Sequence, residues 1–165
     1  MKHYVFFTLF ILVALCLAAC GGVAPTPTPL PECTPVPGRE NAAQEAIDAG
    51  AVVVYERFSE YTCLHEVWSI YPDGRIVGDD GHTQTEATVT AEEVSTLLAE
   101  IDELGFFELL STEHTPCRKC FFYLITVSHG DEVKSVSAVD GGTDTPGEYW
   151  KVFAKIKRLL PESAE

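Results

Sequence analysis

The sequence predicts an α+β domain, an antiparallel sheet in the order ββββ-α-ββ-α with two helices packed on one of its faces. Three observations carry this prediction. Four β-rich runs punctuated by turn residues fill Ala51 to Val89, an amphipathic helix with a capping box follows at Thr90, and a hairpin and a Pro-led amphipathic helix come last.

A short helix is expected across Arg39 to Ala49, ahead of the sheet. Ala51 to Phe58 is β-branched and aromatic, as a first strand should be. Cys63 to Tyr71 is the second strand, and alternation puts Leu64, Trp68 and Ile70 on one face. Tyr71-Pro72-Asp73-Gly74-Arg75 then has tight-turn chemistry: Pro presets φ, Asp bonds to nearby backbone and Gly takes the positive φ. Ile76 to Asp79 and Gln84 to Val89 complete a meander about Asp80-Gly81-His82.

Thr90 and Glu93 have capping-box spacing, and Val94, Leu97, Leu98, Ile101 and Leu104 recur at helical intervals until Gly105. Phe106 to Leu110 is expected to plug the sheet edge. Phe121 to His129 and Glu132 to Ala138 form a hairpin about Gly130-Asp131. The last helix starts at Thr145-Pro146, with Glu148 read as completing a second capping box, and buries Tyr149, Val152, Phe153, Ile156 and Leu160. Lys155, Lys157 and Arg158 lie towards its C-terminus, where cations complement the helix dipole, and Pro161 lies just past its end.

The first residues point to export. After Lys2 and His3, Tyr4 to Ala19 is an uncharged apolar run whose helical length of about 24 Å falls short of the roughly 30 Å hydrocarbon core. It reads as the hydrophobic region of a signal peptide, residues 1–19. Leu17-Ala18-Ala19-Cys20 resembles the lipobox of bacterial lipoproteins. That resemblance implies acylation of the Cys20 thiol, cleavage before it, and attachment to the membrane through the N-terminal lipid.

Residues 20–50 read as the lipidated cysteine and a tether. Six of the ten prolines lie between Gly21 and Pro37, and proline both fixes φ and lacks an amide donor, so an extended spacer is expected. Residues 51–161 are the single folded domain and 162–165 a tail. The net charge of −14 excludes an electrostatically driven nucleic-acid binder and leaves the lipid, not a basic patch, to hold the chain at a membrane.

The Tyr-Pro-Asp-Gly-Arg turn, Thr-Ala-Glu-Glu-Val at a helix start, Leu-Gly-Phe-Phe at its end and Asp140-Gly141-Gly142 before a Pro-led helix form a series. The series resembles a bacterial envelope domain of unknown function over roughly Val52 to Leu160. The shared motifs are turns, caps and core, and the resemblance implies no catalytic residues. Members of that family often have two cysteines near the Cys63 position and this chain has one, so their pairing is not carried over.

Chemistry rests on the cysteines. Cys16 leaves with the signal and Cys20 is the lipidation site, so Cys33, Cys63, Cys117 and Cys120 remain as disulfide candidates in an oxidising compartment. Cys117 is expected to pair with Cys120 or Cys63, and Cys33 lies in the tether. Redox catalysis at Cys117-Arg118-Lys119-Cys120 is the alternative, but the motif precedes a strand and lacks the activating helix N-terminus. Zinc held by Cys63, His65, His114, Cys117 and Cys120 is another, disfavoured because exported thiols oxidise. Asp73, Asp79 and Asp80 miss the calcium-loop spacing and read as turn carboxylates.

Ser59, Ser69, Ser95 and Ser111 lie in no nucleophile motif, and no phosphate loop is present. The sequence therefore assigns no catalytic residue, metal ligand or cofactor. Trp68, Tyr71, Phe121 and Tyr123 are either core or a binding face. The reading is a non-catalytic, lipid-anchored domain on the extracytoplasmic face of the membrane, binding an envelope protein or cell-wall ligand. Its alternative is a thiol-redox or metal-handling lipoprotein.

Overall fold

Alternation of side chains along β1 (Val53–Ser59) sends Val53 and Tyr55 to one face of the sheet and Val54 and Glu56 to the other, and all four are buried. The computed structural model describes residues 41–59, 61–111, 119–140, 142 and 144–161. Around β1 it places β2 (Leu64–Ile70), β3 (Arg75–Asp79), β4 (Gln84–Thr88), β5 (Phe122–His129) and β6 (Glu132–Val139). The six strands run antiparallel in the order β4-β3-β2-β1-β5-β6. In that register Val53 pairs with Ile70 and Val127, and Tyr55 with Trp68 and Ile125.

Two helices seal this face, as the alternation predicts. From α2 (Ala91–Glu103) come Val94, Leu97 and Ile101, and from α3 (Gly147–Leu159) come Tyr149, Val152 and Ile156. Leu98 and Phe153 are only half-buried at the margin of this core. Glu100 of α2 joins the pair by accepting from Lys155 and, at 3.5 Å, from Arg158 of α3.

The expected capping box of α2 forms. The Glu93 amide donates to Thr90 Oγ1 at 3.2 Å, the Thr90 amide donates to Glu93 Oε2 at 2.8 Å, and these bonds hold the Glu93 carboxyl below its usual range. The second expected box does not. Pro146, not Thr145, is the N-cap of α3 and gives no side-chain cap, so Glu148 falls one position short of the reciprocal site. The Phe106–Glu108 segment forms a 3₁₀ turn whose Phe106 is fully buried in the core. At the β6 edge Ser111 Oγ donates to the Ser135 carbonyl at 3.4 Å.

The turns follow the sequence chemistry. The Tyr71 amide donates to the Arg75 carbonyl at 2.9 Å, the Asp73 carboxylate accepts from the Arg75 amide at 3.0 Å, and Gly74 has φ +92°. A Cβ at Gly74 would overlap the Val89 carbonyl, so a side chain there is barred by space as well as by φ. Asp79 accepts from the Gly81 amide, and Asp80 from the amides of His82 and Thr83, which accounts for both as turn carboxylates.

The second face carries an additional layer. Helix α1 (Ala42–Asp48) packs Ala42, Ala43, Ala46 and Ile47 against Ala51, Val54, Val67 and Tyr71. The short helix expected before the sheet forms, at Ala42–Asp48, and packs on the strands that follow it. Thus the two long helices share one face as expected, and the short helix lies across the other. All the described residues fall within the unit Pro31–Glu165.

One glycine decides the packing under β3. Gly78 is buried opposite Trp68, and a Cβ there would come within 2.4 to 2.6 Å of three indole carbons. Gly78→Ala should therefore lower stability by about 1 to 3 kcal/mol through overpacking, read as a lower midpoint in chemical denaturation. An unchanged midpoint would show that Trp68 is free to move aside.

Candidate functional site

The hairpin register brings chemistry to one end of the sheet. Antiparallel pairing of β1 with β2 sets Arg57 directly across from Glu66, while the His65 ring reaches Glu56 diagonally on the opposite face. Arg57 Nε and Nη2 donate to the two Glu66 carboxylate oxygens at 2.9 and 3.0 Å. Burial alone would lower the Arg57 guanidinium, but its bonds to Glu66 reverse the direction and hold it above its usual value. Arg57 also lies 5.4 Å from the centre of the Phe121 ring.

On the other face His65 Nε2 lies 2.9 Å from Glu56 Oε2, and Phe58 packs edge-on to the imidazole and flat on Phe122. A buried carboxylate on the central strand requires such a partner. Beyond these pairs the β1–β2 turn presents Tyr61, 43% exposed, with Lys119 Nζ 5.3 Å from its ring. Cys63 follows in the left-handed region at φ +55°, an uncommon position for a residue with a Cβ.

Cys63 and Cys120 are both disulfide-bonded, so neither offers a thiolate to a metal or an electrophile. Cys20, Cys33, His114 and Cys117 lie outside the described residues, as does the rest of the Cys117-Arg118-Lys119-Cys120 run up to Arg118. Among the described residues no three His, Cys, Asp or Glu side chains converge as a metal site. His65 and Cys63, two of the zinc candidates, are turned to Glu56 and to a disulfide.

The strand aromatics divide between the two roles considered for them. Trp68 is core. Tyr123 packs against Tyr55, Trp150 and Phe153 in a half-buried cluster, and Tyr71 lies under the Arg75 guanidinium at 3.6 Å. Two of the four meet Arg57 at the cysteine end: Phe121 under its guanidinium and Tyr123 directly across from it on β5. A separate groove of about 480 Å³ between α2 and α3 is floored by Leu97 and Leu159 and edged by Thr90, Glu92, Lys155 and Arg158.

The sequence reading missed the two cross-strand pairs. Their signal was available: Glu56-Arg57 and His65-Glu66 stand at mirrored positions about a short turn, so a tight hairpin must oppose them. No protein-family model matches the chain, and no curated protein matches it. Among the described residues no helix is long and apolar enough to cross a membrane.

Two buried phenols set a pH limit. Tyr55 and Tyr149 are fully buried with unpartnered hydroxyls, and burial pushes both well above the ordinary 10.0. Above pH 10 the unfolded chain releases phenolic protons that the folded chain retains. Stability is therefore full below about pH 10 and should fall by about 1.4 kcal/mol per pH unit for each tyrosine above it. Melting curves from pH 9 to 12 should show that fall, and Tyr55→Phe with Tyr149→Phe should flatten it; an equal slope in the double variant would contradict this cause.

Proposed function

We propose that the chain is a lipid-tethered, extracytoplasmic domain of the bacterial cell envelope that binds an envelope protein or cell-wall component without catalysis. The observation that carries this reading is the disulfide-bonded state of Cys63 and Cys120. Disulfides persist in oxidising compartments, and the export leader with its Cys20 lipobox directs the chain to one. The two features are independent: one lies in the leader and the other in the turns at one end of the folded domain.

The binding surface in this reading is the cysteine end of the sheet. Tyr61, Lys119 and Phe121 are anchored by backbone that the disulfides restrain, and Arg57 is held in place by Glu66. Aromatic and Arg side chains on a restrained scaffold lose little freedom on association, which favours non-covalent recognition. The Glu56–His65 and Arg57–Glu66 pairs orient the surface and offer no nucleophile.

Membrane attachment and binding separate in experiment. Wild-type chain should incorporate labelled fatty acid and enter the detergent phase on phase separation, while Cys20→Ser should remain an unprocessed, unlabelled precursor. Processing and labelling of Cys20→Ser would overturn the lipobox reading. For binding, the full chain should co-sediment with isolated cell-wall sacculi or cross-link to an envelope protein. Tyr61→Ala with Lys119→Glu should weaken that retention about tenfold, or about 1.4 kcal/mol. Equal retention would place the surface elsewhere.

A further inference from the structure

Helix α1 differs from α2 and α3 in how it is held. It has only seven residues, none fully buried, and no side-chain cap at Asn41. Such a length is marginal as a helix in water, so α1 owes its form to docking. Its contacts with the sheet are apolar and small: Ala42, Ala43, Ala46 and Ile47 on Ala51, Val54, Val67 and Tyr71. The one side-chain hydrogen bond within it runs from Gln44 to Asp48, and among the described residues no α1 side chain bonds to the sheet.

The long helices are tied down differently. Each buries three side chains in the main core, and Glu100 joins them through Lys155 and Arg158. The hinge of α1 is also distinct. Gly50 has φ +95° with no atom near a would-be Cβ, and the chain enters β1 two residues after Ala51, whose amide donates back to the Ala46 carbonyl at 2.9 Å. A helix held by a few methyl groups and joined through an open glycine has the features of a low-stability cooperative unit.

We propose that α1 is a releasable strap: it undocks and melts as a unit while the sheet with α2 and α3 stays folded, and the opening bares Val54 and Val67 on the second face. Both valines are buried in the closed form, beside the Glu56 carboxylate on the central strand. Among the described residues, opening breaks no ion pair and no side-chain hydrogen bond to the sheet. It also leaves the Val52 and Ser128 amides bonded to Ile70 and Val52 across the strands.

Native-state hydrogen exchange on the purified full chain tests this. The amides of Ala49, Gly50 and Ala51, which donate to α1 carbonyls, should exchange at least about a hundredfold faster than those of Val52 and Ser128. Ala46→Pro should abolish protection at Ala49 to Ala51 while Ser128 remains protected and melting stays cooperative. Equal exchange at Ala51 and Ser128 in the wild type, or collapse of the whole domain in Ala46→Pro, would overturn the strap.

Discussion

Val53 and Tyr55 alternate with Val54 and Glu56 along the central strand, and burial of the first pair against α2 and α3 is the constraint on which the other elements depend. A one-residue slip of β1 would carry Glu56 into that core and Tyr55 out of it. The register that avoids this fixes β2 and β5 beside β1. Through them it fixes the Trp68 ring over Gly78 and the hairpin carrying Ile125 and Val136. Because the core face is continuous from Ile76 to Val136, both long helices must lie on the same side.

The same register accounts for the cysteine end. Once Val53 opposes Ile70, Arg57 must oppose Glu66, and a charge pair forms on the helix-bearing face just where the apolar core gives out. Glu56 and His65 repeat the arrangement on the reverse face. Cross-strand pairs of this kind contribute roughly 0.2 to 1 kcal/mol each, so they refine the hairpin and do not drive it. The larger effect of the Arg57–Glu66 pair is to hold Arg57 beside Phe121 at the end of the sheet where Lys119 also meets Tyr61.

Much of this was legible in the sequence because the signals are local. The Tyr71-Pro72-Asp73-Gly74-Arg75 turn, the Thr90–Glu93 box and the periodic Val94, Leu97 and Ile101 each encode their own geometry within a few residues. The start of α3 falls one residue later than the Thr145–Glu148 spacing implies, because Pro146 keeps an extended ψ of 141° and so serves as the N-cap, although proline is ordinarily favoured one position further in. The docking of α1 was not legible at all. Ala42, Ala43, Ala46 and Ile47 have helical spacing against polar Gln44, Glu45 and Asp48, but what that small face covers is decided by Val54 and Val67, which look like ordinary alternating strand residues. The state of Cys63 and Cys120 depends on distances that spacing does not encode.

The fold rests on one face of β1, and the strap side is secondary. Thermal unfolding of Val53→Asp and Val54→Asp, adjacent substitutions pointing to opposite faces, tests it most directly. An unpaired carboxylate buried under α2 and α3 costs several kcal/mol against a typical total of about 5 to 15, so Val53→Asp should lose its cooperative transition. Val54→Asp should keep a cooperative transition at a lower temperature, since release of α1 lets that carboxylate reach water. The same outcome for both variants, whether loss or retention of the transition, would contradict the account.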